Sequence, residues 1–194
     1  DGLQRARGEA RYTADVQLPG MLHAAVLRSP FARARVREID TRMAERAPGV
    51  RAVIGPDTPP LTDEPAYQGA PIAAVAADTE GQARAALALL EVEWEQLEPL
   101  LDPDEAVRRN QLVDEPSSYE RGDLERGLAE ADVVVEAEFR TQTVVHNSME
   151  THQAVCLWEG DDHLTVYIST QLVWGIRENV AEHFGLPQDN VRVV

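Results

Sequence analysis

Seven consecutive side chains without a polar group, "PIAAVAA" at residues 71–77, constrain the fold more than any other stretch of this chain. The run has the length of a strand and falls short of a buried helix, so a strand is the first expectation. Its neighbours carry their own signals. "TEGQARAALALL" (79–90) reads as a helix, with Thr79 as N-cap and Gln82 in the capping-box place. "EVEWE" (91–95) alternates as a half-buried strand does. Upstream, "LHAAVLR" (22–28) is a strand closed by Ser29-Pro30, "TRMAERA" (41–47) is a short helix stopped by Pro48-Gly49, and "VRAVI" (50–54) resumes a strand. Four prolines within residues 55–69 exclude regular structure and make that segment a surface loop. The first half therefore alternates α and β.

The pattern changes after Asp102. "DPDEAVRRN" has the look of an acidic metal cluster, yet Asp102 as N-cap, Pro103 at the first helical position and Glu105 in the capping-box place explain it as a helix start. "DEPSSYERGD" (114–123) reads as a linker. Beyond it the chain is β-rich: "ADVVVEAEFRTQTVV" (131–145) is a long strand candidate. "HQAVCLW" (152–158) and "HLTVYIS" (163–169), joined by "EGDD", form an expected hairpin. A closing helix carries Val173, Ile176, Val180 and Phe184 on one face and ends at Gly185 and Pro187. "NVRVV" begins a further strand where the sequence stops.

Charge removes whole classes of function. All 18 basic residues are arginine and the formal net charge is −16, which disfavours nucleic acid as a partner. Without lysine there is no Schiff base and no phosphate-loop lysine. The acidity is concentrated in residues 55–140, which hold 6 Arg against 21 Asp and Glu, and reads as a solvated face. No apolar run approaches a membrane span, and "DGLQRARGEARY" lacks the apolar stretch of a secretion signal. A soluble, cytoplasmic protein is expected. Its one cysteine, Cys156 within "AVCLW", reads as a small buried hydrophobe.

The chemistry-bearing residues are few. Five histidines, at 23, 146, 152, 163 and 183, lack the tight spacing of a zinc site. No G-x-S-x-G turn and no glycine-rich loop after a strand are present. Glu150 and His152, two apart in an extended segment, share a face, and Glu150 is expected to be a buried, hydrogen-bonded structural carboxylate rather than a catalyst. Gln171 sits between a strand end and a helix start. Two roles stay open for it: capping the helix with Ser169 or Thr170, or donating a hydrogen bond to a negatively charged ligand oxygen near the helix N-terminus.

"METHQAV" (149–155), "STQ" (169–171), "GLP" (185–187) and "VRV" (191–193) occur in an order and spacing that resemble the molybdenum-binding subunit of the xanthine dehydrogenase and aldehyde oxidase family. The resemblance extends through "GEARYTADVQLPGMLHAAVLRSP" (8–30), "IDTRMAERAPGVRAVI" (39–54), residues 69–102 and "GDLERGLAEADVVVEAEF" (122–139), and so covers nearly the whole chain. It implies an α+β fold: an a/b hammerhead domain over residues 1–110, then the β-rich, incomplete N-terminal portion of the first molybdopterin-binding domain over 111–194.

Further implications are chemical. The family's cofactor is a molybdenum-molybdopterin group, often the cytosine dinucleotide form in bacteria, and a glutamate base with water as the oxygen source drives hydroxylation of an electron-poor carbon. The glutamine of "STQ" contacts the apical oxo ligand of the molybdenum, which assigns Gln171 a cofactor-binding role in the second coordination sphere. No residue of this sequence matches the family's catalytic base, Glu150 included. Iron–sulfur clusters and FAD are implied on partner subunits, beside a chain carrying the remaining molybdopterin-binding segments. The family's glycine-rich "GGFGG"-type segment does not appear before Val194, and the loop at 55–69 is shorter than usual. The expectation is an N-terminal piece or split subunit, inactive alone, acting on an aldehyde or N-heterocycle, with a non-catalytic scaffold retaining the hammerhead fold as the rival reading.

Overall fold

The computed structural model describes residues 2–112, 117–119 and 121–194. The expected linker at 114–123 therefore lies partly outside the described residues. The chain forms two compact units, one of residues 20–134 and one of residues 1–19 with 135–194.

In the unit of residues 20–134, the apolar run becomes the middle of a sheet. Strand β1 (His23–Arg28), β3 (Val50–Ile54) and β4 (Pro71–Ala77) lie in the order β1-β4-β3, all antiparallel. Having a neighbour on each side explains why β4 needs no polar side chains: Ile72, Ala73, Val75 and Ala77 are fully buried. Helix α2 (Arg42–Glu45) joins β2 (Ala34–Asp40) to β3, and α3 (Glu80–Leu87) packs against β1 and β4. Ala44, Val75 and Ala86 form the centre of the core, with Ala47, Val50, Val53, Leu87 and Leu90 around them. Small side chains on α3 let its backbone approach the sheet closely. Thr79 caps α3 as expected, its Oγ1 accepting from Gln82 N at 3.3 Å while donating to Gln82 Oε1 at 2.9 Å.

A second, two-stranded antiparallel ribbon pairs β2 with β5 (Glu91–Gln96). Strand β2 is not announced by the sequence. Its register shifts between Val36 and Glu38, and a bulge of this kind breaks the period-two pattern by which a strand is recognised. Phe31 meets Trp94 edge-on at 5.6 Å, and Arg35 ties the proline-rich loop to β2 through Glu64 Oε1 at 2.6 Å. Helix α4 (Pro103–Arg108) starts as expected: Asp102 Oδ1 accepts from Asp104 N at 2.8 Å and Glu105 N at 3.1 Å. Glu105 does not close a capping box but reaches forward to Arg109 Nε at 2.5 Å. Helix α5 (Leu124–Ala129) is capped by Asp123.

The other unit begins with helix α1 (Gly2–Ala6) and a 3-10 turn at Thr13–Asp15. Its sheet has the order β6-β7-β8, from β6 (Ala154–Glu159), β7 (His163–Ile168) and β8 (Val191–Val193). The expected hairpin is present, β6 and β7 pairing antiparallel from Ala154 opposite Ile168 to Glu159 opposite His163. Between β7 and β8, which run parallel, helix α6 (Val173–Phe184) makes the crossover. Leu164, Val166, Ala181 and Val191 are the buried core. Phe184, half exposed, meets Trp158 edge-on at 5.3 Å. Gly185 ends α6 at φ 65°, with Gly185 N–H donating to Glu182 O at 3.2 Å and Leu186 N–H to Ala181 O at 2.8 Å, the Schellman arrangement.

Two expectations fail here. Residues 131–148 make no ladder among the described residues, and Val133, Val135 and Phe139 are exposed. Their apolar alternation gives the capacity for a strand, but a strand needs a neighbour to take its backbone hydrogen bonds. Cys156 is not buried: β6 is an edge strand whose alternate side chains face outward. Partial desolvation still pushes its thiol pKa up, which disfavours the thiolate.

Candidate functional site

The corner between β7 and α6 is short and held at both ends. On the strand side, Ile168 N–H donates to Val194 O at 3.1 Å and Val194 N–H to Val166 O at 2.9 Å. On the helix side, Ile176 N–H donates to Leu172 O at 2.9 Å, the first bond of the helix. Only Ser169, Thr170 and Gln171 span the gap. Leu172 occupies the N-cap position with φ −121° and ψ 60°, and no side chain caps the helix. Thr170 Oγ1 instead accepts from Leu172 N at 3.0 Å. Arg177 anchors the helix to the turn ahead of β8, its Nε donating to Gln188 O at 2.6 Å and its guanidinium pairing with Asp189 at 2.8 Å.

Gln171 is therefore not a helix cap. Its side chain is exposed, and it helps line a cavity of about 590 Å³ together with His146, Ser148, Glu150, His152 and Ser169. Glu150 belongs also to the wall of a neighbouring cavity of about 530 Å³, which Thr13, Tyr167 and Val194 border. The expectation of a buried, hydrogen-bonded Glu150 is not met: the residue is half-buried and makes no hydrogen bond among the described residues. The segment before β6 is irregular, so its carboxylate lies at the cavity rim, away from any ladder of backbone donors.

The sequence pairs Glu150 with His152 on one face, and both line the cavity. Sequence reasoning assigns no role to His146 or Ser148; Asn147 takes φ 46° and the chain bends at 149–150, so it is the irregular path of this segment that brings both to the cavity.

The donor set fits a cofactor that brings its own metal ligands. The wall holds hydroxyls, imidazoles and one primary amide but a single carboxylate, and no cluster of three or more His, Cys, Asp or Glu able to hold a bare metal ion occurs among the described residues. Molybdenum carried on a pterin dithiolene asks the protein for hydrogen-bond donors near its oxygens, not for a cage of ligands. The Gln171 amide and the hydroxyls of Ser148, Ser169 and Thr170 can each supply such a donor without adding charge.

Comparison with known proteins gives this corner its context. Residues 7–98 match the family model described as aldehyde oxidase and xanthine dehydrogenase, a/b hammerhead domain, and residues 105–194 match the molybdopterin cofactor-binding domain. A probable xanthine dehydrogenase subunit of Bacillus subtilis strain 168 is 35% identical over 100% of this chain, which spans 29% of that protein. Among solved structures, quinoline 2-oxidoreductase from Pseudomonas putida 86 superposes with a TM-score of 0.79 at 28% identity, over 99% of this chain and 28% of its own. The aldehyde oxidoreductase of Desulfovibrio gigas gives 0.78 at 25% identity, over 99% and 25%. The chain thus spans less than a third of each of these three proteins. With both halves matched in order, the chain belongs to the xanthine dehydrogenase and aldehyde oxidase family, and it carries that family's a/b hammerhead domain and the start of its molybdopterin cofactor-binding domain.

Proposed function

We propose that this chain is the N-terminal piece, or a split subunit, of a cytoplasmic molybdenum hydroxylase that oxidises an aldehyde or N-heterocycle with water as the oxygen source. The observation that carries the reading is the cavity at the β7–α6 corner, where Gln171 stands uncapped and exposed among hydrogen-bonding side chains. Relatives named for xanthine, quinoline and aldehyde oxidation support the substrate class. We assign the hammerhead domain to residues 1–110 and the molybdopterin-binding portion to 111–194; the family matches over 7–98 and 105–194 support a division into two halves.

When bound, the molybdenum-molybdopterin group, in its cytosine dinucleotide form, supplies oxygen transfer coupled to two-electron oxidation. Gln171 donates an amide N–H to an oxygen on that group and so orients it without changing the charge of the site. Ser169, His146 and His152 add polar contacts around the same opening. No residue of this chain takes the catalytic proton. Spanning 29% of its Bacillus subtilis relative, the chain works with the remaining molybdopterin-binding segments, an iron–sulfur subunit and an FAD subunit, and it is inactive alone.

Native mass spectrometry with metal analysis on the protein from its own host tests this. The expected result is a complex with larger chains holding stoichiometric molybdenum, iron and flavin. A metal-free 21.4 kDa species would overturn the reading in favour of a non-catalytic scaffold. In the assembled enzyme, Gln171→Ala is expected to lower kcat by about ten- to a hundredfold with unchanged molybdenum content and less than about 0.5 kcal/mol of lost stability, because the side chain is exposed. Unchanged turnover at full metal loading would remove Gln171 from the site.

A further inference from the structure

We infer that Thr170 is the positioning residue for Gln171. The inference rests on the assignment of Gln171 to the cofactor and goes one step further, to what aims it. Ile168 is fixed by its bond to Val194, the residue after β8, and Leu172 by the first hydrogen bond of α6. Between those points three residues must turn the chain, and no side chain caps the helix to stiffen the turn. The hydroxyl of Thr170 stiffens it instead, accepting from Leu172 N at 3.0 Å. This bond closes around Gln171, because donor and acceptor belong to the residues on either side of it. Gln171 itself makes no hydrogen bond among the described residues, so nothing but its backbone sets where its amide points.

Thr170 also lines the same cavity as Gln171. Its β-branched side chain has few rotamers, so the acceptor stays in place while the amide beside it remains free to donate. Loss of the hydroxyl leaves Leu172 N–H without its partner and lets the corner relax. A shift of about 1 Å in a group that contacts the reacting centre costs up to about a hundredfold in rate.

The experiment uses the assembled holoenzyme with Thr170→Val, Thr170→Ser and Gln171→Ala. Thr170→Val keeps the shape and removes the acceptor, while Thr170→Ser keeps the acceptor. Three readouts are taken: kcat and KM separately, the molybdenum(V) electron paramagnetic resonance spectrum, and hydrogen exchange at the Leu172 amide. For Thr170→Val at full molybdenum content we expect kcat to fall about tenfold or more with KM within about twofold. The resonance spectrum should shift as it does in Gln171→Ala, exchange at Leu172 should accelerate, and serine should restore all three. If Gln171→Ala alters kcat and spectrum while Thr170→Val alters neither, Thr170 has no positioning role and the Gln171 assignment stands. If neither variant alters them, the Gln171 assignment falls and takes this inference with it. Should Thr170→Val fail to assemble, Thr170→Ala removes the same hydroxyl with less bulk and is judged by the same results.

Discussion

Asp40, half-buried, illustrates how much a single residue can depend on its partner. Hydrogen bonds from the Arg42 side chain, first, and from its backbone N–H hold the Asp40 carboxyl at about 2, below its usual 3.8. The side-chain contact runs from Arg42 Nε to Asp40 Oδ1 at 2.9 Å and the backbone contact to the same oxygen at 3.0 Å. A depressed carboxylate contributes stability that is complete above the unfolded value and is lost as pH falls through the folded one. The window here runs from 3.8 down to about 2. Arg42→Gln is expected to bring the Asp40 pKa back toward 3.8 in an NMR titration; an unmoved value would show that the backbone bond alone sustains it. Gly49 makes a different residue-scale case. Its φ is +82° and a Cβ there would overlap the side-chain amide of Gln82, the partner of Thr79 at the start of α3. Gly49→Ala should cost about 1–2 kcal/mol in denaturant unfolding. Adding Gln82→Ala should recover only the overlap, leaving the backbone strain.

At the scale of elements, periodicity and capping locate most helices and strands that form, though not α1, β2 or α5. The apolar run becomes β4, the hairpin becomes β6 and β7, and Asp102, Thr79 and Gly185 begin or end helices where their chemistry allows. Helix α6 is rotated relative to the face read from the sequence: Ala181 is the buried residue, whereas Val173 and Phe184 remain 44% and 50% exposed. Its C-terminus depends on Gly185 at φ 65°, where a Cβ would meet nothing within 4 Å. Gly185→Ala therefore isolates the conformational cost, expected at about 1 kcal/mol and confined to the α6–β8 connection. Hydrogen exchange should quicken at Gly185 and Leu186 while β6 and β7 are unaffected. Strand β2 escapes the same reading because its bulge at Arg37 interrupts the alternation that would have announced it.

For the molecule as a whole, the main consequence lies in residues 135–149. Val135, Phe139, Val144 and Met149 stand exposed, Phe139 at 89%, and apolar surface of this kind marks an interaction face or an aggregation liability. The isolated chain is expected to bind a hydrophobic dye and to self-associate, and Phe139→Asp should reduce both; equal dye binding by the two proteins would place the exposed apolar surface elsewhere. Residue order alone carries the alternation of helices and strands, most helix ends, the absence of lysine-based chemistry, and the family. Those follow from local rules: side-chain period, capping chemistry and motif spacing. Long-range packing settles the rest: Glu150 sits at a cavity rim instead of in a hydrogen-bonded core, Cys156 faces outward, and 131–148 lacks a ladder among the described residues. Each of these depends on which groups come together across the fold, and the partner of a donor, acceptor or apolar face is set by contact between distant segments more than by the neighbouring residues.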